Sequence, residues 1–236
     1  MLAFAIAAAL RFLHLGHNSL WIDEFASLIT ARAPLPLIPE SALRYDAFEL
    51  PMYFWLLHGI VHGYGESEWA LRFISAAGGA LTVPVIWLLA RDLSRSVWVA
   101  NMTGLLLATN PLHLWYSQEA RPYALMVFFG SIALLCLVRA LERDAVVWWL
   151  GFSVFSALAV LLHVTGGVFL VIGCLWALQA SGTAVHRRLA LSALGVFVVT
   201  LPFLVILGRA VLHAGGTGSP TRPLTGLRCR TRSLHS

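Results

Sequence analysis

The chain has 236 residues, of which 59% are hydrophobic and 11% charged, and its mean hydropathy is +0.80. A water-soluble domain carries about 25% charged residues, so most of this chain is excluded from facing water. The formal charge of +5 does not signal nucleic acid, because all 16 basic residues are arginines and they are scattered rather than gathered into a patch with interleaved aromatics.

Seven apolar runs follow one another along the chain, over 1–15, 73–90, 97–112, 123–138, 145–162, 164–180 and 189–207. A helix that crosses a bilayer needs about 20 residues. Several runs are slightly short, and flanking amphipathic residues are expected to extend them. The fold class expected is all-α, a polytopic transmembrane helical bundle of about seven spans. Arg11 interrupts the first run, which competes with a secretory signal. The run has no basic segment before it and no small-residue cleavage site after it, so a retained helix is the expectation. Cys136 and Cys174 lie inside apolar runs and read as small buried hydrophobes.

Residues 16–70 form a long first loop. Trp21, Phe25, Leu28, Ile29, Met52, Tyr53, Phe54, Trp55 and Leu57 make it amphipathic, which suits short helices in the membrane interface. Pro34, Pro36 and Pro39 mark a break between them. After Ala214 the sequence turns polar and rich in Gly, Pro, Ser, Thr and Arg. The expected organisation is therefore a membrane core over 1–213 and a disordered polar tail over 214–236, either a genuine tail or out-of-frame sequence.

Arginine placement sets an orientation. Arg91 and Arg95, Arg139 and Arg143, and Arg187 and Arg188 occupy three alternate short loops, which therefore share a side. The positive-inside rule makes that side cytoplasmic. The N-terminus is then cytoplasmic, and 16–70, 113–122 and 163–165 face outward. Eight of the 11 acids fall outside (Asp23, Glu24, Glu40, Asp46, Glu49, Glu66, Glu68 and Glu119). Acids contribute little to topology, so their concentration asks for a chemical reason.

Two constellations stand out. In Leu20-Trp21-Ile22-Asp23-Glu24, adjacent carboxylates point in different directions on a helix. One can serve as a base on a hydroxyl while the other orients a metal or an Arg. Alternatively, both simply favour a helix N-terminus. In Trp115-Tyr116-Ser117-Gln118-Glu119-Ala120-Arg121-Pro122-Tyr123, a short loop holds a cation for phosphate, acceptors, and stacking aromatics for a sugar. A local Glu119–Arg121 pair is the simpler reading. His58 and His62 are spaced to share a helix face and hold a metal, but no third ligand has suggestive spacing and no metal site is expected. His163, at the outer end of the fifth run, is either structural or functional.

These segments resemble the membrane glycosyltransferases of the C-type fold, in the dolichyl-phosphate-mannose-protein mannosyltransferase and aminoarabinose-transferase clan, and in particular the bacterial branch called family 39. WIDE matches that branch's W-x-D-E, and YSQEARPYAL matches its signature. The resemblance covers about residues 1–210. It implies transfer of a sugar from a polyprenyl-phosphate donor to a lipid, glycan or protein acceptor at the outer face of the cytoplasmic membrane. Asp23 is implied as the catalytic base, with Glu24 beside it. Tyr116, Gln118, Glu119, Arg121, Tyr123, Asp46 and His163 are implied as substrate-binding. The branch's H-P-P-L-Y-like stretch is only half kept, as Glu49-Leu50-Pro51-Met52-Tyr53, and the chain is shorter than such enzymes. The reaction is expected to be a single displacement in which the lipid phosphate leaves. No cofactor is required, although a divalent metal between carboxylates and phosphate is compatible. One active site using both motifs requires Asp23 and Glu119 to face a common cavity. The rival readings are a transporter or lipid flippase, which places polar residues near the midplane, and an inactive fragment.

Overall fold

In the computed structural model, residues 2–45, 49–143, 145–179 and 183–216 are described. Every one of the seven apolar runs is helical. α1 (Leu2–Phe12) enters a loop that leads to α2 (Ile22–Arg32). A short 3-10 turn, Leu35–Leu37, with its prolines, separates α2 from α3 (Ile38–Tyr45). α4 (Met52–Tyr64) follows. The bundle continues with α5 (Glu68–Ser94), α6 (Val97–Ala108), the short α7 (Pro111–Ser117), α8 (Tyr123–Arg143), α9 (Val146–Leu162), α10 (Gly167–Ala177) and α11 (Thr183–Gly216).

Three helices, α5, α8 and the 183–208 part of α11, are long and apolar enough to cross a membrane. The other four runs form α1, α6, α9 and α10, of 11 to 17 residues. The flanks do not lengthen them as expected, because caps stop them. The Asn110 side chain accepts from His113 N–H at 2.8 Å and starts α7, which ends α6 early. The expected end of the core at residue 213 falls within α11, which runs to Gly216. The rest of the tail lies outside the described residues.

α5 is the central post. It packs against α1, α6, α7 and α8, while α9 packs against α8 and α11. The loop helices have a core of their own. Leu28, Ala31, Ile38, Tyr53, Phe54 and Leu57 bury against Leu71, Leu125 and Leu162 at one end of the bundle. Leu150, Val154, Val171, Leu175, Leu194 and Val198 face outward. An apolar surface of that extent suits lipid rather than water.

The bundle has two charged ends. At one, Asp92 receives Arg139 Nε at 2.9 Å and Arg91 Nη2 at 3.1 Å, Arg95 pairs with Glu142, and Arg139 stacks on Trp148. The arginines of the 91–95 and 139–143 loops thus lie at the same end of the bundle. Arg72 and the loop helices lie toward the other end of α5, roughly 28 Å away at 1.5 Å per residue.

Arg11 is no defect in its helix. Fully buried, it donates to the carbonyls of Ala7, Ala108 and Leu107 at 3.1, 3.1 and 3.3 Å and to Ser117 Oγ at 3.3 Å, so it caps the end of α6. Its Nη2 lies 2.8 Å from His113 Nδ1. A guanidinium only donates, so this nitrogen accepts and the ring proton is on Nε2. Gly79 makes room for the arrangement, since a Cβ there would meet Ser117 Oγ at 2.1 Å. Arg11→Leu is expected to lower stability by about 3 kcal/mol, since it strands buried carbonyls; denaturation in detergent checks this. Burial, then the Arg11 charge, hold His113 down at about 4, below its unfolded value near 6.5. The stability gained from keeping it neutral is complete above pH 6.5 and is lost as pH falls through about 4. His113→Phe should flatten that part of the pH–stability curve.

Candidate active site

α2 starts where Trp21 is extended (φ −91°, ψ 174°), which puts Asp23 and Glu24 in its first turn. Glu24 closes the turn by accepting from Trp21 N–H at 3.3 Å, as first-turn acids do. Its side chain is 1% exposed and its partners reach much further. Arg72, in the second turn of α5, donates Nε and Nη2 to its two oxygens at 2.7 and 2.6 Å. Ala120 N–H, in the second motif, donates to it at 2.8 Å. Arg72 also donates to the carbonyls of Leu15, Asn18 and Ser19 at 3.0, 2.9 and 3.3 Å. A single bidentate pair therefore joins α2, α5, the loop after α1 and the second motif.

Asp23, one residue earlier, points elsewhere. Its side chain is 44% exposed, and Oδ2 lies 3.8 Å from Arg121 Nη1. Arg121 is buried, with Nη2 2.7 Å from Glu49 Oε1 and 3.0 Å from Tyr123 Oη. Burial pulls its proton affinity down, and Glu49, Tyr123 and Asp23 more than offset that, so the net shift is upward and the cation persists. The Arg121 carbonyl is held by Ser75 Oγ at 2.9 Å, with Tyr53 Oη behind it at 3.4 Å. Asp23, Glu49, Arg121, Ser27, Thr30 and Phe54 line one cavity of about 230 Å³.

Glu119 opens into a different cavity, of about 310 Å³, with Trp21, Trp115, Asn18, Gln118 and the Glu24–Arg72 pair. This corrects the expectation of a common cavity: the two motifs do meet, but Asp23 and Glu119 line separate spaces. The physical reason is the Glu24–Ala120 contact, which lies between the neighbours Asp23 and Glu119. Burial raises the Glu119 pKa, opposed by a hydrogen bond from Trp115 and reinforced by the Glu24 charge.

The remaining expected residues fall into place around these two spaces. Gln118 Nε2 donates to the carbonyls of Leu10, Arg11 and Leu13 at 3.0, 3.3 and 3.2 Å, so its amide caps α1. The rings of Tyr116 and Tyr123 are 5.0 Å apart, and Tyr123 lies 5.3 Å from His163, giving a row of three rings. His163 Nδ1 accepts from Thr165 N–H at 3.2 Å, and its backbone forms an antiparallel bridge with Glu49. Asp46 lies outside the described residues. Sequence reasoning passed over Arg72 and Glu49. The signals were a lone arginine in the first turns of an apolar helix, and an acid at the register where the resembled stretch has His.

The fold is that of a polytopic helical membrane protein with an ionic cluster at each end. It is similar to ArnT from Cupriavidus metallidurans in the apo state, with a TM-score of 0.68 and 21% identity over 88% of this chain and 41% of that one. It is also similar to ArnT from the same organism bound to undecaprenyl phosphate, with a TM-score of 0.65 and 20% identity over the same shares. An uncharacterized protein of Aquifex aeolicus (strain VF5) is 26% identical over 172 residues, 70% of this chain and 34% of that protein. The chain thus spans about a third of that relative's length. The family model of dolichyl-phosphate-mannose-protein mannosyltransferase matches residues 49–206, and the chain belongs to that family.

The Glu24–Arg72 pair yields a test. Removing one partner of a buried pair leaves an uncompensated charge, which costs about 3–5 kcal/mol. Glu24→Gln and Arg72→Met should each destabilise the protein by that order in detergent denaturation. The double variant should lose less than the sum of the two, which a double-mutant cycle reads directly.

Proposed function

We propose that the chain carries the acceptor-activating end of a glycosyltransferase that moves a sugar from a polyprenyl-phosphate donor to a lipid, glycan or protein acceptor. The observation that carries this reading is the exposed Asp23 carboxylate sharing a cavity with the buried Arg121 cation. Family membership supports the class of chemistry, and the undecaprenyl phosphate bound by the similarly folded ArnT supports a donor of that kind.

In this reading Asp23 accepts the proton of the acceptor hydroxyl as its oxygen attacks the anomeric carbon, and the lipid phosphate leaves. Arg121 balances charge on the leaving phosphate, and Glu49 and Tyr123 fix where that guanidinium sits. The row of Tyr116, Tyr123 and His163 offers ring faces to the sugar. Glu24 acts as a positioning residue, because its oxygens are engaged by Arg72 and by Trp21 and Ala120 N–H. Gln118 positions in the same way, through α1. Glu119 and the indoles of Trp21 and Trp115 line a second polar space beside the first. The arginine-rich end of the bundle is assigned to the cytoplasm. The N-terminus then lies on that side, and Asp23 lies at the external face of the cytoplasmic membrane.

Asp23→Asn keeps size and polarity but cannot take a proton. It should lower transfer about 10²–10⁴-fold with an unchanged thermal midpoint, since the side chain is half exposed. The assay follows labelled sugar from polyprenyl phosphate to acceptor in membranes with matched protein levels; turnover equal to wild type rejects Asp23 as base. Arg121→Lys, which keeps the charge and loses the planar fork, should raise donor KM more than it changes stability. Orientation is checked separately. Cys substitutions at Ser94 and Asp23 should react with an impermeant thiol reagent from opposite sides of the membrane, and reaction from one side overturns the assignment.

A further inference from the structure

α4 carries two histidines that the transfer reaction does not use. His58 and His62 are one turn apart, and their ring centroids lie 3.9 Å apart with planes inclined by 33°. Each Nδ1 is already committed. His58 Nδ1 is 2.8 Å from the carbonyl oxygen of Ala31, and His62 Nδ1 is 2.9 Å from the carbonyl oxygen of His58. A carbonyl only accepts, so in both neutral rings the proton sits on Nδ1 and the lone pair on Nε2. An imidazole N–H donated to a backbone carbonyl is the contact that orients metal-ligating histidines. Here it is made twice, on adjacent rings, one half-buried and one exposed. Glu66 lies a further four residues along, just past the helix end at Gly65. Its carboxylate is held by Arg32, the last residue of α2.

We propose that His58 and His62 form a two-imidazole site for a divalent transition metal. Water fills the remaining positions, and Glu66 joins on exchange from Arg32. Two Nε2 atoms about 2.0–2.1 Å from one ion are what a tetrahedral zinc takes from imidazoles. Nitrogen donors select zinc, nickel or copper over magnesium and calcium. Among the described residues no three or more His, Cys, Asp or Glu stand together ready for a metal, so this site depends on both imidazoles and has modest affinity. Its position couples it to the bundle. His58 is tied to Ala31 near the end of α2, the helix whose first turn holds Asp23 and Glu24. An ion on the pair fixes the His58 ring and stiffens the seam between α2 and α4.

The test uses the full chain in detergent, stripped by a chelator and titrated with Zn²⁺ alone. Calorimetry should show a single saturable site, and the thermal midpoint should rise with Zn²⁺ but not with Mg²⁺. His62→Ala, on an exposed position, should weaken Zn²⁺ binding at least about tenfold, or about 1.4 kcal/mol, with the metal-free midpoint unchanged. His58→Gln should weaken it likewise. His17→Ala, in the other close pair of exposed rings (His14 and His17, 5.7 Å apart), should leave binding as in wild type. Zn²⁺ affinity unchanged in His62→Ala, or the absence of saturable binding to wild type, overturns the proposal.

Discussion

The rest of the site depends on one ion pair. Glu24 and Arg72 are both buried and bidentate, and between them they make hydrogen bonds to five backbone groups besides each other. Taking two charges out of water is repaid only when geometry is good and the remaining donors and acceptors are satisfied, and here they are. The pair's main effect is on position. It holds Ala120 against α2, which brings Arg121 to Asp23 and leaves Asp23 as the carboxylate that opens outward. Swapping the two acids would reverse those roles. Adjacent residues on a helix cannot serve the same partner, so one is consumed by architecture and the other stays available for chemistry.

The fold was legible because lipid-facing helices advertise themselves by hydropathy, and each of the seven runs is a helix. Their lengths were less legible. α6 stops at Ala108 because Asn110 caps α7 and Arg11 takes the last carbonyls of α6, and that stop depends on side chains rather than on apolar content. Arg11 looked like an interruption, because sequence shows the charge but not the carbonyls of Leu107 and Ala108 that receive it. The two motifs were readable as local clusters. Their partners were not, because Arg72 and Glu49 sit in segments whose patterns describe packing. The separation of Asp23 and Glu119 into two cavities likewise depends on where one backbone N–H of Ala120 points, which no spacing rule supplies.

The molecule is polarised along its axis. At one end Asp92, Arg139, Arg91, Arg95 and Glu142 form a network braced by Trp148. At the other, Glu24, Arg72, Glu49, Arg121 and Asp23 form another. Between them α5, α8 and α9 bring together small residues such as Ala76, Gly78, Ala133 and Gly151, which lets side chains such as Leu125 and Cys136 approach closely. Arg11 lies within this slab, and its charge is solvated by carbonyl oxygens and a neutral imidazole. This arrangement gives the cation a polar shell without adding an acid to the apolar region.

The bridge between Glu49 and His163 has a consequence for biogenesis. Glu24 meets a partner 96 residues downstream, and Glu49 meets one that follows α9. A chain delivered to the membrane from its N-terminus therefore carries Glu24 without Arg72 until α5 arrives, and Glu49 without Arg121 until the second motif arrives. The ionic cluster therefore closes only once α2, α5 and the Glu119–Tyr123 segment have met, which ties its assembly to theirs.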